Sequence, residues 1–287
     1  YILTPARYRN VTLLAGSIIF YAIGEPGYVF LLLGSILINY FLGLHVAGGK
    51  KAAGSVKRRK RQILTAAVLL NVSVLLFFKL GSEKVGLPLG ISFYTFQMLS
   101  YLIDAYRGDV PRERSFLKLA SYVTMFPQLI SGPLVSYGEL SEQLGDFIGA
   151  KEGSSKNSPD VARRCNARTI QSGLMTFTVG MAFKVLLADR IGILWFEVQK
   201  TGFESITTAY AWMGAVAYSM KIYFDFYGYS LMASGVGRMM GFELPENFHD
   251  PYLARGVRDF YRRWHMTLGE WFKKYIYIPL GADCLPG

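Results

Sequence analysis

Long charge-free runs alternate with short charged breaks along most of this chain. No charged residue occurs in 10–24, 26–49, 62–78, 85–103, 119–138, 169–183, 205–220 or 226–237. A helix needs roughly 20 apolar residues to cross a bilayer core, so several of these runs are long enough to span it and the others come close. Backbone amides in lipid must be satisfied within the element, which selects helix over open strand. The pattern predicts a first helix over 10–24, ended by Glu25, Pro26 and Gly27. It predicts spans at 28–47, 62–80, 169–190 and 206–226. A separate small-residue helix is expected over 228–242, and a basic amphipathic helix lying at the membrane interface over 256–275. The glycine-rich GSEKVGLPLG stretch (81–90) reads as a loop or a broken helix, and the polar stretch 139–168 as a loop. Segment 117–138 contains FPQLISGPL, whose prolines and glycine argue against a regular span. It reads either as a re-entrant element or as a kinked helix. The expected fold class is therefore all-α: a polytopic transmembrane helical bundle of about 7–9 membrane segments, some of them re-entrant.

Composition agrees with this reading. Of the 287 residues, 52% are hydrophobic and 15% aromatic, more apolar than an ordinary soluble domain. The net charge of +11 would suggest nucleic acid in a soluble protein. Here the cations sit in the breaks between apolar runs. Lys50, Lys51, Lys57, Arg58, Arg59, Lys60 and Arg61 fall between two predicted spans. Basic residues concentrate in cytoplasmic loops, so 48–61 is placed on that side and a nucleic-acid partner is not expected. The two cysteines, Cys165 and Cys284, make no disulfide framework. His45, His249 and His265 lack metal-ligand spacing, so no metal site is expected.

The densest chemistry lies in 251–281, PYLARGVRDFYRRWHMTLGEWFKKYIYIPLG. An imidazole titrates near neutral pH, so His265 can accept a proton from a hydroxyl attacking an acyl carbon. It could equally be a structural histidine that hydrogen-bonds a neighbour. Arg262, Arg263, Lys273 and Lys274 could hold an anionic acyl donor or face lipid phosphates. Trp264 and Asp259 flank the same site. Lys184, Asp189, Lys221 and Asp225 interrupt or border apolar runs, where charge is costly and faces a cavity or another charge. Lys221 and Asp225 are four residues apart, which predicts either a local ion pair or a polar tunnel lining. Gly235, Gly237 and Gly241 lack the spacing of a nucleotide-binding loop and are better read as close helix packing.

Taken together these residues resemble the membrane-bound O-acyltransferase family, in particular its alginate O-acetyltransferase branch. The resemblance is carried by PLGISFYTFQMLSYLIDAYRG (88–108), FPQLISGP (126–133), IYFDFYGYSLMASGVGRMMGFELPENF (222–248) and the 251–281 run. The N-terminal RNVTLLAGSIIFYAIGEPGYVFLLLGSILINYFLGL is also typical. The resemblance implies a single integral membrane domain over 1–287, with helices around a central tunnel in the cytoplasmic membrane. It implies an acetyl or similar short acyl group taken from acetyl-CoA or an acyl carrier, with no bound cofactor. The group would end on a hydroxyl of an extracellular polysaccharide such as alginate or of another cell-wall polymer, with an extracytoplasmic acetyl-carrier or transferase protein as partner. His265 matches the first of two family histidines. The second, in a Trp-His-Gly context further downstream and usually taken as catalytic, has no counterpart here. The first span that usually precedes the RN segment is also missing, so the chain is expected to be truncated at both ends and, alone, inactive. The resemblance implies that the complete enzyme uses the missing histidine as base, with His265 as a second polar group in the tunnel; within this stretch His265 is the expected catalytic residue, and Asp225, Asp259, Arg262, Arg263 and Trp264 are expected to shape the tunnel or orient the imidazole. D-alanyl transfer toward teichoic acids, a permease and a structural partner subunit are the competing functions.

Overall fold

Most of the charge-free runs become helices, but the charged breaks between them do not by themselves decide where a helix ends. The computed structural model describes residues 4–5, 8–129, 132–144, 165–202 and 205–281. Among these no β-strand occurs, and pairing of strand type is confined to one antiparallel bridge between Phe248 and Trp264. By contact the chain divides into two units. The first comprises Tyr1–Ile130, Leu134–Arg164 and Leu268–Gly287; the second comprises Ser131–Pro133 and Cys165–Thr267.

The first unit begins with α1 (Arg9–Gly24), α2 (Val29–Val46) and α3 (Gly54–Leu80). Helices α2 and α3 are long and apolar enough to cross a membrane, with 18 and 27 residues. Their outward faces carry Phe30, Phe41, Leu69, Phe77 and Leu80, all exposed. In water such a surface is an aggregation liability, whereas in a bilayer it is the favoured contact. Helix α3 starts at Gly54, so Lys57 through Arg61 lie on its first turns rather than in the expected loop 48–61. Long basic side chains there can run their stems along apolar surface and keep their charge in the headgroups.

A short α4 (Ser82–Val85) precedes α5 (Ile91–Arg107), which buries more residues than any other described helix of this unit. Gly90 caps α5 at φ +72, and a Cβ there would stand 2.4 Å from the Leu129 carbonyl oxygen. Only glycine meets both demands. After α6 (Phe116–Thr124) and α7 (Phe126–Leu129) the backbone at 132–136 is not helical. Segment 117–138 is thus broken, not kinked: Pro127 tolerates the first turn of α7 but cannot extend α6. Helix α8 (Tyr137–Leu144) follows, its Tyr137 hydroxyl donating to the Glu113 carboxylate. The end of the chain returns to α5. Trp271 donates its indole N–H to the Phe96 carbonyl at 3.1 Å, while Lys274 and Tyr275 meet Asp104 at 3.0 and 2.6 Å.

The second unit is built on α9 (Ala167–Ala182) and α11 (Thr208–Met239). Asn166 and Thr169 form a reciprocal capping box that starts α9. A π-helical segment, Phe183–Ala188, joins it without a break to α10 (Asp189–Thr201). The span expected at 206–226 and the small-residue helix expected at 228–242 are one helix of 32 residues. Gly228 does not end it, because its missing side chain is used for packing. A Cβ on Gly228 would lie 2.6 Å from the Gly180 carbonyl oxygen, and one on Gly180 would lie 2.5 Å from that of Gly228. One heptad further along, Gly173 and Gly235 face each other in the same way, at 2.6 Å each. Two glycine pairs thus bring α9 and α11 together, antiparallel, at backbone contact. The packing role read for Gly235 holds, and Gly237 serves likewise against Leu244. Gly241 instead takes a left-handed turn just past the helix end.

This register corrects the expected Lys221–Asp225 pair. Lys184, delivered from the neighbouring π segment, binds the Asp225 carboxylate at 2.6 Å and stands 3.6 Å from Asp189. The Lys221 stem lies over Gly192 on α10 instead. An interhelical contact set by the glycine pairs therefore wins over a same-helix pair worth only a few tenths of a kcal/mol.

Candidate active site

His265 stands where the predicted helix 256–275 fails. Helix α12 (Val257–Arg263) stops, Trp264 is extended, and α13 (Met266–Phe272) begins immediately after the histidine. No proline or glycine lies at the break. It is imposed by residues 247–249, which run antiparallel to 263–266. The His249 N–H donates to the Arg263 carbonyl at 3.0 Å, and the Met266 N–H donates to the Asn247 carbonyl at 2.9 Å. The Phe248–Trp264 bridge lies between these bonds. The strap holds His265 at φ 46, in the left-handed region. A non-glycine residue there costs on the order of 1 kcal/mol or more and marks a site where geometry outweighs local preference.

The imidazole so presented is pinned on one nitrogen. Its Nδ1 lies 2.8 Å from Asn247 Oδ1, which also accepts the Thr267 hydroxyl at 3.0 Å. A carbonyl oxygen can only accept, so Nδ1 carries the ring proton and Nε2 keeps its lone pair. No described residue hydrogen-bonds Nε2. Asn247 is buried, and its Nδ2 has no partner among the described residues. The Phe226 ring meets the imidazole edge to face, with centroids 4.8 Å apart. Phe248 and Trp264 continue this aromatic wall, their own rings 5.1 Å apart. Burial among these rings pushes the His265 pKa down to about 4, because the charged form loses its hydration.

The ring is thus neutral at physiological pH. Between pH 6.5 and 4 the folded protein binds fewer protons here than the unfolded chain does, so this histidine lowers stability as pH falls through that window. Nitrogen-15 NMR of the labelled histidine should show a neutral ring protonated on Nδ1 at pH 6. An imidazolium at that pH would contradict the geometry.

The other expected site residues divide. Trp264 stacks on Phe260 at 5.5 Å and helps form the wall behind the imidazole. Asp259 and Arg263 bind each other, Oδ1 to Nε at 2.9 Å, and Asp259 also accepts the Arg255 N–H. The Arg263 guanidinium holds the Asp259 carboxyl below the usual carboxylate range. This pair fastens one turn of α12; the group on the imidazole is Asn247. Arg262 is exposed. Asp225 is engaged by Lys184. Asn247, Thr267 and Phe226 escaped sequence reading. Asn247 lies 18 residues before its partner, and no helical or strand period connects them.

The chain also matches known proteins along its sequence. The membrane-bound O-acyltransferase family model matches residues 37–285. The chain is similar to the probable alginate O-acetylase AlgI of Pseudomonas syringae pv. tomato, 36% identical over 303 residues, covering 99% of this chain and 54% of that protein. It is similar to the peptidoglycan O-acetyltransferase of Helicobacter pylori, 34% identical, with 96% and 56% covered. The teichoic acid D-alanyltransferase of Bacillus subtilis is 28% identical, with 66% and 45% covered. The chain spans about half the length of these curated relatives.

Proposed function

Because the chain belongs to the membrane-bound O-acyltransferase family, we propose that it forms part of a multi-pass enzyme of the cytoplasmic membrane that O-acetylates an extracellular polymer. This part contributes about 7–9 membrane segments, some re-entrant, to a helical bundle around a central tunnel. The acyl donor is an acetyl thioester, acetyl-CoA or an acyl carrier. The acceptor is a hydroxyl of a polysaccharide such as alginate or of another cell-wall polymer, reached with an extracytoplasmic acetyl-carrier or transferase protein.

One observation carries this reading: an imidazole uncharged near neutral pH, fixed through Nδ1 by Asn247, with Nε2 free of described partners. Such a ring can act as a base toward a hydroxyl. The hydroxyl proton passes to Nε2 as its oxygen bonds to the acyl carbon. The carbon–sulfur bond then breaks, and the departing thiolate takes the proton from the imidazolium. The ester forms, the thiol leaves and His265 returns to its neutral state. Trp264 and Phe226 support the ring, and the Asp259–Arg263 pair and Arg262 lie on the helix leading to it. Similarity to a probable alginate O-acetylase and to a peptidoglycan O-acetyltransferase supports acetyl transfer. D-alanyl transfer is the second reading, supported by the Bacillus relative, which shares a smaller part of the chain.

The test is chemical. Deleting the gene should remove O-acetyl esters from the extracellular polymer, and the full-length gene should restore them. Unchanged ester content after deletion would refute the proposal.

A further inference from the structure

Helix α3 buries Ala67, Asn71 and Phe78 on one side. On the opposite side Arg58, Arg61, Gln62, Thr65, Ala66 and Leu69 line a shallow groove of about 460 Å³. Counted from Arg58 they follow at three, four, seven, eight and eleven residues, which places them in one stripe. All six are exposed. The stripe passes from charged to polar to apolar within about 17 Å of helix axis at 1.5 Å per residue. Leu76 and Leu80, also exposed, continue it along the membrane-spanning part of the helix.

The charge at its upper end is not balanced within α3. Residues 57–61 are five successive cations, and the helix contains no acidic residue. None of the five forms an ion pair among the described residues. Lys60 turns inward and gives its ammonium to the Ala47 carbonyl at 2.6 Å. The cations also stand near the positive end of the helix dipole, whose first turn lacks an acid and whose Ala53 cap makes no side-chain bond. That position is unfavourable for positive charge, so an anion from outside relieves both the dipole and the mutual repulsion.

The groove restricts which anion. Arg58 and Arg61 lie about one turn apart and carry planar forks suited to phosphate oxygens. Gln62 offers a carboxamide one step deeper, while the Thr65 hydroxyl is turned to the Arg61 carbonyl at 3.1 Å. Ala66 and Leu69 then present only carbon to the groove. An inorganic anion leaves that apolar half uncovered. Nucleic acid and acidic protein have no counterpart for a surface that runs on into lipid. A phosphate joined to an alkyl chain meets both ends.

We propose that this stripe is a binding site for one anionic phospholipid of the leaflet at this end of α3, with the phosphate on Arg58 and Arg61 and an acyl chain along Ala66 and Leu69. The site differs from the diffuse attraction of any basic segment, because two of the five cations carry it. It rests on the membrane placement of α3 and not on the acyl-transfer reading.

The test uses the full-length protein in detergent, titrated with phosphatidylglycerol or phosphatidylcholine of identical chains, with bound lipid counted by native mass spectrometry. Wild type should hold one phosphatidylglycerol about 30-fold more tightly, roughly fivefold for each arginine facing an anionic headgroup. Arg58→Gln with Arg61→Gln should bring the two lipids near parity. Lys57→Gln with Arg59→Gln removes the same charge from the flanks of the stripe and should keep most of the preference. All four side chains are exposed, so an unchanged Tm in lipid-free detergent is expected of both double variants. Equal affinity of wild type for the two lipids would overturn the proposal. Equal losses in the two double variants would also overturn it, leaving a diffuse charge effect. Displacement of the lipid by inorganic phosphate at the same concentration would do so too, since the chain would then contribute nothing.

Discussion

Replacing His265 by Ala in the full-length protein is expected to lower acetyl transfer by about 10²–10⁴-fold, the range that positioned proton transfer contributes. The expectation rests on Nε2 being the one nitrogen of the ring left for chemistry, since Nδ1 is committed to Asn247 at 2.8 Å. A second substitution separates chemistry from folding. His265 sits at φ 46, a conformation that Asn tolerates better than most residues. His265→Asn should therefore keep the strap and the membrane yield while losing the base. His45→Gln is the control, because the His45 ring bonds the Phe41 carbonyl of its own helix, at 2.7 Å. Polymer O-acetyl content, normalised to protein in the membrane, measures all three variants. A purely structural subunit predicts full O-acetylation in His265→Asn.

Gly228→Leu is expected to cost about 3 kcal/mol or more, at or above the upper end of overpacking penalties. Its Cβ would meet a carbonyl oxygen of the facing backbone, not the tip of a side chain that can swing away. Relief requires α9 and α11 to separate, which also opens the Gly173–Gly235 contact and pulls Lys184 from Asp225. Loss of monodisperse protein in detergent, or a Tm lower by many degrees, is the expected result. Gly16→Ala is the counterpart: its Cβ meets nothing within 4 Å inside α1. It should be neutral or stabilise by up to about 1 kcal/mol.

Helices α2 and α3 were legible in the chain because length and apolarity are local properties. The same holds for the wedge role of Gly235, since small residues in an apolar helix favour close approach. The failures share a cause in long-range register. Nothing within VRDFYRRWHMTLGEWF signals a break at Trp264 and His265, because the break comes from hydrogen bonds to 247–249. Lys184 was not recognisable as the partner of Asp225 without the pairing of Gly180 with Gly228. Asn247 sits in PENF, a stretch that reads as a turn, and its meaning appears only when the strap places its carboxamide on the imidazole. His265 itself was accessible from residue type and surroundings, while its neutral state depends on burial by Phe226 and its neighbours. The family was legible for a different reason, since its motifs are runs of specific residues that do not depend on register.

The measurement closest to the central claim is acetyl transfer by the purified full-length protein in proteoliposomes. A radiolabelled acetyl thioester is enclosed and a polysaccharide acceptor is supplied outside, with the partner carrier added. Label recovered as alkali-labile ester on the saccharide, in proportion to protein and lost in His265→Asn, is the predicted result. Label that crosses the membrane without forming ester would contradict it and leave the protein a transporter.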